Sequence, residues 1–153
     1  MCSNIDAQWM DDALDEARIA ADENEVPIGA VVIFENTLIA HAHNRREKTA
    51  DPAAHAEFLA IQEASRALGR WRLTGCTVYV TLEPCLMCAG LMVNARIDRC
   101  VYGAPDPKGG ALGSLYDINN DLRLNHTFEV LANVRAEESS DLLRSFFRNR
   151  RKK

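Results

Sequence analysis

The sequence predicts an α/β protein, and three observations carry that reading. Five short apolar stretches alternate with segments of helical periodicity, turn signals separate them, and no internal repeat or low-complexity segment interrupts the order. At 153 residues, 47% hydrophobic and 26% charged, the chain can bury one substantial core but is too short for two ordinary domains. Residues 1–153 are therefore read as one domain without a linker.

Each element has its own signal. Ile5, Trp9, Ala13, Ala17 and Ala20 recur at helical spacing with Asp11, Asp12, Asp15 and Glu16 between them, which predicts an amphipathic first helix. Residues 28–34 are apolar and β-branched, and Glu35-Asn36 separates them from 37–43, so the two stretches are predicted to pair as a hairpin. Asp51-Pro52 predicts the start of a second helix, because Asp caps free backbone N–H groups and Pro is tolerated at the first helical position; Gly69 closes it. His55 and Glu57 fall in its first turns. Residues 77–82 read as a buried strand, Pro84 as the start of a helix carrying Cys85 and Cys88, and 97–103 as a further strand. A Gly- and Pro-containing loop follows over 104–113, then a last strand over 127–131. Leu142, Leu143, Phe146 and Phe147 mark a final helix, inside a basic helix or tail at about 137–153.

Charge narrows the partners. The net charge of −4 argues against broad nucleic-acid affinity, yet the cations are unevenly placed. Arg144, Arg148, Arg150, Arg151, Lys152 and Lys153 close the chain with no acid among them; the other 12 cations face all 22 acids, leaving −10 for the rest. The tail can contact phosphates, with Phe146 or Phe147 as a stacking face, or can simply be a solvated end. The first residues lack the basic start and apolar middle of a secretory signal, and no apolar run reaches the roughly 18 residues of a membrane span. Five cysteines in such a chain make a disulfide framework a poor expectation and metal or catalytic use a better one. A reducing cytoplasm is the expected setting.

The chemistry concentrates in four residues. Cys85 and Cys88, three apart on a helix, share a face near its N-terminus, whose free N–H groups favour thiolates. His55 is the natural third ligand of a zinc ion that keeps its fourth position open for water, as catalytic zinc does. Residues two apart on a regular helix diverge, so His55 and Glu57 can converge only if the metal lies at the helix entrance. Glu57 is then placed to carry protons without binding the metal. The plainer alternatives are a pair of buried small cysteines with a satisfied histidine, or a structural zinc taking a fourth ligand from Cys76, Cys100, His41, His43 or His126.

His55-Ala56-Glu57 followed by Pro84-Cys85-Leu86-Met87-Cys88 matches the His-x-Glu and Pro-Cys-x-x-Cys signature known for zinc nucleobase deaminases. Glu25 to Ala30, His43-Asn44-Arg45, Asp51 to Glu57, Thr81 to Gly90, Gly113-Ser114-Leu115 and Phe146-Phe147-Arg148 extend the likeness over nearly the whole chain. The chain resembles the bacterial tRNA-specific adenosine deaminases of the cytidine/deoxycytidylate deaminase superfamily. That resemblance implies a cytidine-deaminase-like three-layer fold, a central mixed sheet of about five strands with helices on both faces. It also implies one Zn2+ per chain, a homodimer, and hydrolysis of the wobble adenosine of an arginine tRNA with an ACG anticodon to inosine. The tRNA anticodon stem-loop would be the partner, since its bases are unpaired and extrudable. By the same resemblance Asn44 would bond the target nucleoside, with Glu25, Pro27, Asp106 and Phe147 around the flanking nucleotides. Arg148, Arg150 and Arg151 would meet phosphates.

Rival functions differ in what they require. A deaminase of free nucleosides or bases shares the zinc chemistry but needs no RNA surface, which the basic tail disfavours. A noncatalytic zinc-containing RNA-binding subunit can dispense with Glu57, which is present here. Riboflavin-pathway deaminases place more residues between their two cysteine ligands.

Overall fold

The computed structural model describes residues 3–151. Its helices are α1 (Asn4–Asp22), α2 (Arg46–Thr49), α3 (Ala56–Leu68), α4 (Leu86–Ala95) and α5 (Ala136–Arg151), and its strands are β1 (Gly29–Phe34), β2 (Thr37–His43), β3 (Cys76–Leu82), β4 (Arg99–Ala104) and β5 (Glu129–Leu131). A short 3-10 turn at Ile118–Asn120 lies in the long connection after β4.

The five strands form one mixed sheet in the order β2-β1-β3-β4-β5. β1 runs antiparallel to both β2 and β3, whereas β3, β4 and β5 are parallel. Because successive side chains of a strand point to opposite faces, the apolar stretches cover both sides of the sheet at once. Ala30 and Val32 of β1, Val78 and Val80 of β3, and Cys100 and Tyr102 of β4 join Ala56, Ala60 and Ile61 of α3 and Ala89, Met92 and Val93 of α4 in one cluster. The alternate residues Val31, Ile33, Tyr79 and Val101 pack with Met10 and Ala13 of α1 and with Val134 on the other face. Helices on both faces of a mixed five-stranded sheet give the three-layer α/β architecture expected from the sequence. Gly29 lets α1 lie this close, since a Cβ there would sit 2.1 Å from the Ala13 carbonyl oxygen.

One buried ion pair ties α1 to the centre of the sheet. Ser3 and Asp6 form a capping box at the start of α1. Both oxygens of Asp6 accept from the Arg99 guanidinium at 2.7 and 2.9 Å, and the Tyr79 hydroxyl donates to the same carboxylate at 2.6 Å. Arg99 chiefly holds the Asp6 carboxyl far below the ordinary carboxylate range. A depressed folded pKa contributes stability above the unfolded value, and that contribution is lost as pH falls. Asp6→Asn is therefore expected to destabilise the protein at pH 7 by about 3 kcal/mol, the low end for an unpaired buried ion because Glu129 still reaches Arg99. Urea unfolding should show the deficit shrinking below about pH 4. A pH-independent deficit would mean that packing, and not the charge, is responsible.

Two helix starts differ from the expected ones, for a local reason. Asp51 does not cap the helix: its Oδ1 accepts from the Ala53 N–H at 2.8 Å in a turn, and α3 begins only after His55. The segment before it is wound into α2, a single turn too short for periodicity to reveal. Pro84 likewise precedes Cys85, the N-cap of α4. Gly69 ends α3 at φ 66°, as expected of a left-handed cap.

Candidate active site

The candidate site lies where α3 and α4 begin. α4 follows β3 after three residues and α3 precedes it in the same core cluster, so both helices run back along the sheet from the end of β3 where Leu82 stands. His55 and Cys85 are the two N-cap residues, both with extended backbones (φ −79°, ψ 150° and φ −75°, ψ 176°), and neither makes a capping side-chain bond. Ser, Thr, Asp or Asn at these positions would turn a side-chain oxygen onto the helix. His and Cys instead project away from it toward each other, and the positive ends of two helices face the same point.

His55 Nδ1 lies 3.5 Å from Cys85 Sγ and 3.5 Å from Cys88 Sγ. Among the described residues these three form the group able to hold a metal ion, their donor atoms all within 4.8 Å of one another. The candidates for a fourth protein ligand lie elsewhere. Cys76 and Cys100 are buried in the core, where burial raises both thiols, Cys76 to about 11. His41 and His43 bond Glu16, and His126 Nε2 bonds the Ile97 carbonyl oxygen at 2.6 Å. The structural-metal alternative thus lacks its fourth ligand among the described residues.

Electrostatics in the cluster favour one ionised thiol. Hydrogen bonding from Cys88 and then with His55 lowers Cys85 to about 4, against the effect of burial. Cys88 rises as the proton donor of that pair, and His55 rises through its bond to Cys85. Glu57, the second residue of α3, is 4% exposed beside them. Burial raises its carboxyl to about 7, where it can both accept and release a proton at neutral pH. A cavity of about 280 Å³ opens over the cluster, walled by Val26, Ile28, Asn44, Arg46, Leu82 and Asp106. It is small for a ligand pocket, which commonly spans roughly 300–1,000 Å³, and suits one planar ring better than a whole nucleotide.

A family model for MafB19-like deaminases matches residues 4–151. The tRNA-specific adenosine deaminase of Bacillus subtilis strain 168 is 50% identical over 148 residues, 97% of this chain and 92% of that protein. Its counterpart in Agrobacterium fabrum is 46% identical over 94% of each chain. A solved structure from a study of A-to-I editing by tRNA:A34 deaminases at the wobble position superposes with a TM-score of 0.86 at 44% identity, covering 89% of this chain and 99% of the other. The chain belongs to the tRNA-specific adenosine deaminase family.

As a member of that family it distributes the expected substrate residues unevenly. Asn44 and Asp106 line the cavity. Asn44 also holds a turn, its Nδ2 donating to the Val26 carbonyl oxygen at 3.3 Å and its Oδ1 accepting from the Arg46 N–H at 3.1 Å. Glu25 is 2% exposed, and its carboxylate accepts the backbone N–H groups of Glu47 and Lys48 at 3.1 and 2.7 Å. It caps α2 and so fixes the segment that presents Asn44 and Arg46. Pro27 is buried, and its neighbours Val26 and Ile28 form the wall in its place. Phe147, Arg148, Arg150 and Arg151 lie together on exposed α5 and are not among the residues that line the cavity. α5 stays helical through Arg151, with the Arg150 guanidinium 5.4 Å from the Phe146 ring centroid; Lys152 and Lys153 lie outside the described residues.

One residue of the site escaped sequence reasoning. Glu83, between β3 and Cys85, is 2% exposed and lines the cavity. An acid next to a predicted buried strand and a Pro-Cys pair is the signal that could have found it, since a buried carboxylate must be bonded.

Proposed function

We propose that this chain hydrolytically deaminates adenosine to inosine at the wobble position of a tRNA anticodon, with the ACG anticodon of an arginine tRNA as substrate. The observation that carries the reading is the buried Glu57 carboxyl beside a His/Cys/Cys triad at the floor of a cavity sized for one base. His55, Cys85 and Cys88 would hold one Zn2+. Zn–N and Zn–S bonds of about 2.0 and 2.3 Å at a tetrahedral angle bring N and S to about 3.5 Å, in keeping with the separations here. When bound, zinc acts as a Lewis acid that lowers the pKa of water to about 7.

The residues of the chain supply the rest. Glu57 accepts a proton from the water that adds to C6 of adenine, passes it to N1, and assists protonation of the departing amine. One water is consumed and ammonia leaves. Asn44 offers an amide to the nucleoside, and Asp106 lines the same cavity. Glu25 acts through α2 and not by contact. Phe147 with Arg148, Arg150 and Arg151 gives α5 an exposed ring and a basic edge for flanking nucleotides and phosphates.

Residues 1–153 then work as one deaminase domain in the cytoplasm. No helix among the described residues is long and apolar enough to cross a membrane. A homodimer is supported by the exposed apolar surface where Leu86 and Met87 of α4 meet Phe58, Leu91 and Leu124.

Incubation with an ACG anticodon stem-loop tests the proposal directly. Inosine is expected at the wobble position, with free adenosine turned over at least about a hundredfold less efficiently because it lacks the phosphate and flanking-base contacts. Equal efficiency on free adenosine would overturn the RNA assignment in favour of a nucleoside deaminase.

A further inference from the structure

We infer that Glu83 is a positioning residue for substrate, acting through the loop at 104–113 that carries Asp106 to the cavity wall; this rests on the reaction proposed above. Its carboxylate is filled by that loop and its continuation. Oε1 accepts the Asp106 N–H at 3.0 Å and the Ser114 hydroxyl at 2.5 Å, while Oε2 accepts the N–H groups of Leu112 and Ser114 at 3.0 and 3.1 Å. Gly110 is pressed against the same group, for a Cβ there would lie 2.2 Å from the carboxyl carbon. A backbone bridge between Gly110 and Cys85 binds the loop to the segment that carries the thiols, with the Ala111 N–H donating to the Pro84 carbonyl oxygen at 2.8 Å.

A carboxylate is the one side chain of this length that presents acceptors alone at both ends. The loop turns three N–H groups inward, and each would lie unpaired without it. Glu83→Gln separates the two ends. The amide oxygen keeps Leu112 and Ser114 N–H, and the amide NH2 can donate to the Ser114 hydroxyl oxygen, which rotates to accept. Only the Asp106 N–H then meets a donor. The substitution therefore releases Asp106 while leaving the rest of the loop bonded, and Asp106 is the loop residue that lines the cavity.

Two measurements on zinc-loaded full-length protein test this. In hydrogen exchange of the free enzyme, Glu83→Gln should speed the Asp106 amide at least about tenfold and leave Leu112 nearly unchanged, as the loss of one charge-assisted bond requires. With the ACG stem-loop, KM should rise about tenfold while kcat stays within about threefold, because Asp106 positions the substrate and does not take part in chemistry. Ser114→Ala, which removes one hydroxyl and preserves every N–H bond, is the milder second variant; it should raise KM less, and its effect should not add to that of Glu83→Gln. Uniform exchange over 104–114 would overturn selective release of Asp106. A fall in kcat at unchanged KM would overturn the positioning role. Failure of wild-type protein to deaminate the RNA would instead strike the proposed function, and the exchange result would still decide how Glu83 holds the loop.

Discussion

Glu57→Gln is expected to abolish inosine formation, lowering kcat by at least about 10³-fold, while metal content and fold persist. General acid-base catalysis by a positioned group contributes about 10² to 10⁴, and this carboxyl serves successive proton transfers, so the upper part of that range applies. Glutamine fills the same volume and leaves the His55, Cys85 and Cys88 donor atoms untouched. Single-turnover inosine assays and elemental analysis of the same sample must therefore separate. If metal disappears with activity, Glu57 holds the ion or the fold, and the mechanism fails at its central step.

Cys88→Ser should remove both readouts together. Cys88 is fully buried in the first turn of α4, where a hydroxyl is a far weaker ligand than a thiolate and has no water to compensate it. Zinc is expected to drop from about one per chain to well below half, and activity by at least about 10³-fold, since the attacking water loses its Lewis acid. The wild-type melting temperature should fall on chelation, whereas that of Cys88→Ser should barely respond, because binding free energy stabilises only the state that binds. Stoichiometric zinc and undiminished activity in Cys88→Ser would remove it from the ligand set.

What the sequence made readable follows from the range of each signal. Alternation and helical spacing act over few residues, so all five strands and the four long helices were legible, and so was the need for His55 to sit at a helix entrance. Side-chain bonds to distant backbone were not. Glu25 resembles a substrate-facing acid until the fold brings the N–H groups of Glu47 and Lys48 to it, 22 and 23 residues away. Glu83 has the same character, with partners 23 to 31 residues further on. Neither partner set has a pattern, because a backbone N–H belongs to every residue but proline. Pro27 differs again: the Ile28 N–H donates to the Val26 carbonyl oxygen at 2.8 Å, and the tight turn this closes around Pro27, which leaves Val26 and Ile28 in the cavity wall, has no periodic signal. α2 is too short to carry any period at all.

The pairing of β1 with β3 also orders events in time. During synthesis the chain emerges N-terminus first, so α1, the β1–β2 hairpin, His55 and Glu57 leave the ribosome before either thiol. β1 cannot find its second neighbour, nor α3 its strand-filled floor, until β3 follows. No segment ending before Cys76 can contain the site, and none beginning after Leu68 can either, because the imidazole and carboxyl belong to one side of that connection and both sulfurs to the other. For a nascent chain, capture of a metal by this group would thus be a late step, one that reports that the two halves have met.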